Sequence, residues 1–202
     1  MNHSESTHVH EEGKNFAEVP SLAYSLLSGG LGFGVVSLVV FATVAFGERW
    51  MYTNLGVVGA YLAWTALFIV LGGTVLGSLV VGRWQLPKFY LLFGLAFFAY
   101  AAGWVVAYFA FRGVLGEWLG SFAGSLLMGS TLAAGFGVAS SAPKLSVVLF
   151  AANSVGYFLG SALNNSVGGS AGMLLWGTAY GLCLGAGLGA VLYLAQTQRG
   201  AG

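Results

Sequence analysis

Six side chains carry hydrogen-bonding or aromatic chemistry deep within apolar stretches of the chain: Trp64, Tyr100, Ser130, Thr131, Asn153 and Tyr180. Counted from the nearest charged or turn-rich break, Asn153 stands nine residues beyond Lys144, Tyr100 twelve beyond Lys88, Trp64 ten beyond Asn54 and Tyr180 ten beyond Ser170. At about 1.5 Å per helical residue these are depths of roughly 14–20 Å, near the middle of a bilayer. An amide, an indole N–H or a phenol there needs a partner that lipid does not supply, so the six are expected to face protein or a cavity. Asn153 shares a helix face with Gly156 and Gly160, which directs it to the close-packed side. Neutral donors, acceptors and aromatic walls in one layer would form a constriction for a small neutral or monoanionic solute on a central pathway. The competing reading makes them bonds between helices, each worth about 0.6 kcal/mol.

What is missing narrows the chemistry further. No Asp, Lys, Arg or His falls within the apolar stretches, and the one acid inside them, Glu117, sits two residues into the fourth, close to Arg112, and reads as an interfacial pair. Proton relays and voltage sensors need ionisable groups at depth, a b-type haem needs axial ligands and retinal needs a lysine. His3, His8 and His10 lie in a polar tail with no scaffold to orient metal ligands, and Cys183 sits mid-helix as a small packing residue. No catalytic set, metal site or cofactor is spelled out, so the chain reads as a non-enzyme. A net charge of +1 without a basic run gives no reason to expect nucleic acid as a partner.

The elements that must position these residues follow from hydropathy. Of 202 residues 57% are hydrophobic and only 6% charged, too few to clothe a soluble globule. Apolar stretches run at 22–46, 55–81, 89–111, 115–139, 145–163 and 171–195. Each reaches or exceeds the roughly 20 residues a bilayer-spanning helix needs, apart from the fifth, which falls one short but lies inside the usual range, and none alternates as a barrel strand would. The reading is an all-α integral membrane protein with six transmembrane helices over residues 21–196. A polar, mobile tail is expected at 1–20 and a short one at 197–202. The acidic start and the long first apolar run do not fit a signal peptide.

Short breaks, GERWMYTN, GRWQLPK, RGV, SSAPK and NNSVGGS, make consecutive helices antiparallel neighbours. The three prolines, Pro20, Pro87 and Pro143, each precede an odd-numbered helix. They divide the chain into three consecutive helical hairpins, arranged around a pseudo-threefold axis. Lys14, Arg83, Lys88, Lys144 and Arg199 fall on one side against Arg49 and Arg112 on the other. By the positive-inside rule both termini are cytoplasmic, in a bacterial inner membrane. Trp50, Trp84 and Trp118 flank breaks as interface anchors.

Thirty-three glycines exceed twice ordinary usage. Gly177, Gly181, Gly185 and Gly189 recur every fourth residue, as do Gly116, Gly120 and Gly124, with shorter copies at Gly73 and Gly77 and at Gly156 and Gly160. Each series is a smooth groove that permits close helix packing in lipid. The second, fourth and sixth helices are therefore expected near the centre, with the odd-numbered ones facing lipid. Alternatively the grooves dock a homo-oligomer or a partner, making the chain a non-catalytic accessory subunit of a larger membrane complex.

The plan of three hairpins and the late stretch GLCLGAGLGAVLYLA, Gly181 to Ala195, resemble the acetate and succinate channel family of microbes and, less closely, the proton-gated urea channels. The first family's Asn-Pro-Ala-Pro-Leu-Gly-Leu signature is replaced here by Val19-Pro20-Ser21-Leu22-Ala23. The resemblance implies the fold alone and carries over no individual residue.

Overall fold

A computed structural model describes residues 19–82 and 86–200. It contains five α-helices: α1 (Leu22–Gly77), α2 (Leu86–Phe111), α3 (Gly113–Phe136), α4 (Ala142–Val167) and α5 (Gly169–Gly200), with a 3-10 turn at Ala139–Ser141. All five are long and apolar enough to cross a membrane. Hydrocarbon offers the backbone no partner, and a helix satisfies its own N–H and C=O groups. Leu27, Leu31, Val35, Leu91, Val106 and Val147 point outward and are exposed, an apolar exterior suited to a lipid bilayer. The chain is an integral membrane protein of helices. The tail histidines, Lys14, Arg83 and Trp84 lie outside the described residues.

The first helix doubles back. Phe33 and Phe68 would stand roughly 50 Å apart on a straight helix, yet their rings stack with centroids 5.6 Å apart. The reversal is at Gly56, whose φ of 68° and ψ of 175° suit a residue without Cβ. We call residues 22–55 the first arm of α1 and 57–77 the second. The break GERWMYTN, read from sequence as the connection, is helical instead. Its residues all tolerate a helix, and the turn waits for the next glycine. The break at NNSVGGS behaves alike, α4 continuing to Val167 before Gly168 reverses the chain.

Three reversals share one backbone conformation and are equally spaced: Gly56, Arg112 with φ 52° and ψ 168°, and Gly168 with φ 71° and ψ 174°. Around them α2 packs on α3, α3 on α4, α4 on α5, α5 on the first helix and α1 on α2. The ring closes.

Glycines set the distances. A Cβ at Gly124 or Gly120 would collide with Tyr100 or Trp104, and one at Gly116 with the backbone of Tyr108. Gly156 and Gly160 take Tyr180 and Trp176 in the same way, and Gly177 takes Phe41. Gly181 lies on Ser37 and Gly34, Gly185 on Gly29, and Gly189 on the Ser25 carbonyl. Gly73 and Gly77 receive Tyr90 and the side chains of Leu86 and Phe89. The glycine faces of α3 and α5 thus meet α2 and the first arm of α1, and α3 barely touches α5. This departs from the expected cluster of even-numbered helices. A glycine groove admits a bulky side chain or a close backbone from its neighbour: Gly120, Gly124 and Gly177 face residues of the preceding or first helix, while Gly156 and Gly160 face Tyr180 and Trp176 of α5.

Phe33, Phe89, Phe93, Leu132, Leu145 and Leu188 are fully buried within one large core. At one end of that core the buried Gln196 donates from Nε2 to the carbonyls of Leu79 and Leu192, at 3.1 Å each, while its Oε1 accepts from the Val81 N–H at 2.8 Å. It thereby satisfies backbone groups left open where α1 ends.

Candidate polar seam

Asn153 projects from α4 with no exposure at all, and four other side chains join it in a continuous chain of hydrogen bonds. The Tyr100 hydroxyl of α2 donates to Asn153 Oδ1 at 2.7 Å, and the hydroxyls of Tyr100 and Tyr180 pair at 2.9 Å. On its other side the amide Nδ2 donates to Ser121 Oγ at 2.7 Å, and Ser121 pairs with Ser154 at 2.7 Å. Residues of α2, α3, α4 and α5 meet at this point. Since each is buried, each would carry a desolvation cost if its partner were removed.

Local sequence explains the meeting. Gly124 leaves room for the Tyr100 ring against α3, and Gly156 lets the backbone of Tyr180 and the Cys183 Cβ come close to α4, so both phenols are brought to one level across close helix contacts. Phe97 and Phe41 wall the rings, with centroids 5.7 Å from Tyr100 and 6.2 Å from Tyr180 respectively.

Of the six residues singled out by depth, Asn153, Tyr100 and Tyr180 are brought together, and three stand apart. Trp64 is buried in a satellite cluster with Val40, Met51 and Ala60, edge-on to Tyr52 and Tyr61, and its indole N–H has no acceptor among the described residues. Thr131 turns its hydroxyl back to the Leu127 carbonyl at 2.7 Å, and Ser130 is half-buried on the same helix. Ser121 and Ser154 escaped the sequence reading. A signal existed in the four-residue spacing of Glu117, Ser121 and Ser125, one polar stripe along α3.

That stripe faces α4 and extends the cluster in both directions. Toward one end, Ser125 is 1% exposed with its hydroxyl unpartnered among the described residues, and Ser146 of α4 reaches the Leu126 carbonyl at 3.4 Å. Toward the other, half-buried Glu117 lies beside the Tyr157 phenol of α4. Among the described residues Glu117 makes no ion pair with Arg112, contrary to the interfacial pair expected from sequence. Arg112 is spent on the chain reversal and its side chain is exposed. Trp50 and Trp118 are exposed, at 65% and 45%.

Two apolar surface concavities lie elsewhere. One follows the first arm of α1 along Val39, Thr43, Phe46, Gly47 and Trp50, and the other lies between Leu159, Leu163, Leu175 and Leu182 of α4 and α5. No family model matches this chain, and no curated protein or solved structure is detectably similar to it.

Proposed function

We propose that the chain is a channel or transporter for a small polar solute, with the α3–α4 seam as its pathway and the Tyr100–Asn153–Tyr180 cluster as its closed constriction. In this reading the two arms of α1 each cross the bilayer, making six crossings in three hairpins, with both termini cytoplasmic in a bacterial inner membrane. The equal spacing and shared backbone angles of Gly56, Arg112 and Gly168 support an internal threefold repeat. In that register Phe33, Phe89 and Leu145 correspond and are all buried, as are Leu76, Leu132 and Leu188. Gly73, Gly129 and Gly185 correspond too.

One observation carries the functional step. The repeat places Asn153 where its sister hairpins have Phe41 and Phe97. Packing alone is met by phenylalanine at this position, whereas a fully buried amide requires a dedicated set of partners. The seam supplies them, and neutral donors and acceptors can replace the hydration of a small polar solute. Glu117 at one end of the seam disfavours an anion, so the solute is neutral or cationic. The test is osmotic swelling of proteoliposomes with urea or glycerol. Faster swelling than in protein-free vesicles, slowed or altered by Tyr100→Phe, supports the pathway, and equality with empty vesicles removes it.

A second reading, a non-catalytic accessory subunit, is favoured by the groove of Val39, Phe46 and Trp50 on α1. A Cβ at Gly47 would meet nothing within 4 Å, so this glycine is not used for packing inside the chain. If Gly47→Leu dissolves a larger complex while the isolated chain melts as before, the subunit reading holds.

A further inference from the structure

Between the seam cluster and the Arg112 reversal, aromatic rings of three helices run in series. Trp104 and Tyr108 of α2 stack with centroids 5.0 Å apart, Trp104 meets Tyr157 of α4 at 5.8 Å, and Tyr157 meets Trp176 of α5 edge-on at 5.5 Å. All four are half-buried, unlike the sealed rings of Phe89 and Phe93. The fourth helix of the group, α3, contributes the carboxylate of Glu117 beside Tyr157. Among the described residues no lysine or arginine pairs with that carboxylate. Its neighbour is instead the Tyr157 phenol, whose hydroxyl can donate to it but supplies no counter-charge, and the Tyr157 ring joins the aromatic series, whose faces attract a cation.

The setting differs from an ordinary aromatic belt in two ways. Belt residues face the bilayer interface from the outside, and Trp118 is exposed there, whereas Trp104 lies over Gly120 and Trp176 over Gly160, inside the ring of helices. The reversal that closes this end is held by Arg112 in a conformation that strongly favours glycine, at the position where the other two hairpins have Gly56 and Gly168.

We propose that Trp104, Tyr108, Tyr157, Trp176 and Glu117 form a binding site for a small organic monocation, an amine or quaternary ammonium, at the mouth of the polar seam. Ring faces supply cation–π attraction and the carboxylate supplies the counter-charge, a pairing suited to a weakly hydrated cation and poorly suited to sodium or to an anion. The inference adds a solute class to the pathway proposed above, but the site itself can be tested without flux.

The experiment titrates the purified full-length protein in nanodiscs with tetramethylammonium, and in parallel with its neutral near-isostere tert-butanol, by calorimetry and tryptophan fluorescence. Saturable binding of tetramethylammonium only, weakened at least tenfold in Glu117→Gln and in Trp104→Leu and unchanged in Trp118→Leu, is the expected result. Equal binding by Glu117→Gln, or equal binding of tert-butanol, overturns the site. Trp104→Phe keeps a ring over Gly120, so retained binding there excludes misfolding as the cause of the leucine result. Loss in both Trp104 variants with an unchanged melting curve still supports the site. Vesicles that pass no solute while the protein binds tetramethylammonium through Glu117 would remove the pathway and keep the site. Flux of urea without such binding would do the reverse.

Discussion

Tyr100 of α2 donates its hydroxyl proton to Asn153 of α4 across 2.7 Å, and the amide passes the interaction on to Ser121 of α3. One amide therefore holds three helices at a common level. In membrane proteins a single bond between helices contributes about 0.6 kcal/mol on average, but loss of a buried partner also leaves the others desolvated. Asn153→Ala is expected to lower unfolding free energy by about 1–3 kcal/mol, and Tyr100→Phe by a comparable amount, because it leaves the buried Asn153 Oδ1 without its donor and the Tyr180 hydroxyl without its partner. Unfolding in graded denaturing detergent measures both. A variant Asn153→Ala as stable as the parent would mean that the cluster contributes nothing to packing.

Gly189 and Gly47 should respond in opposite ways to the same change. A Cβ at Gly189 would run into the Ser25 carbonyl, a backbone atom that cannot swing aside, so Gly189→Ala forces α5 away from α1. We expect a loss of about 2 kcal/mol or more, in the upper range for overpacking. Gly47 is helical with open space around it, and alanine there is neutral or gains up to about 1 kcal/mol from helix propensity. Thermal melting of the two variants side by side decides.

Arg112 occupies a backbone region that costs a side-chain-bearing residue about 1–3 kcal/mol. Arg112→Gly should raise the melting temperature, and Gly56→Ala and Gly168→Ala should lower it. If Arg112→Gly is destabilising instead, the side chain makes contacts that outweigh the strain.

That the chain is built of long apolar helices fit to cross a membrane was legible because hydropathy over some twenty residues is a strong signal, and depth counting found Asn153, Tyr100 and Tyr180. Depth gives a level in the membrane but no azimuth. Trp64 shares the level yet turns toward Met51 and Tyr52, because its helix phase is reset at Gly56. Ser121 and Ser154 were overlooked because a serine in an alanine- and glycine-rich helix serves equally as a small packing residue. The connection after Phe46 was misplaced because charge and polarity were taken to end a helix, whereas Glu48, Arg49 and Asn54 stay helical and are exposed. The glycine spacing revealed grooves but did not show which helix would fill them.

Gln196 makes a separate prediction at the far end of the core. Gln196→Leu removes the acceptor of the Val81 N–H and the donor to the Leu79 carbonyl, leaving both open. Amide exchange at Leu79 to Val81 should accelerate by tenfold or more, with little change at the Asn153 level, as hydrogen-exchange mass spectrometry would show. Unchanged exchange would mean that water already satisfies these groups.

The account's central claim is that the seam at Asn153 opens to water and solute, and chemical accessibility tests this most directly. In a Cys183→Ala background, Asn153→Cys in proteoliposomes is treated with a small, charged, water-soluble thiosulfonate, beside the lipid-facing control Val155→Cys. The account predicts that position 153 is modified and position 155 is not, with tetramethylammonium slowing the reaction. If position 153 stays unmodified for as long as position 155 while a cysteine at the exposed Asn54 reacts at once, the buried cluster is a bond between helices and no pathway runs through it.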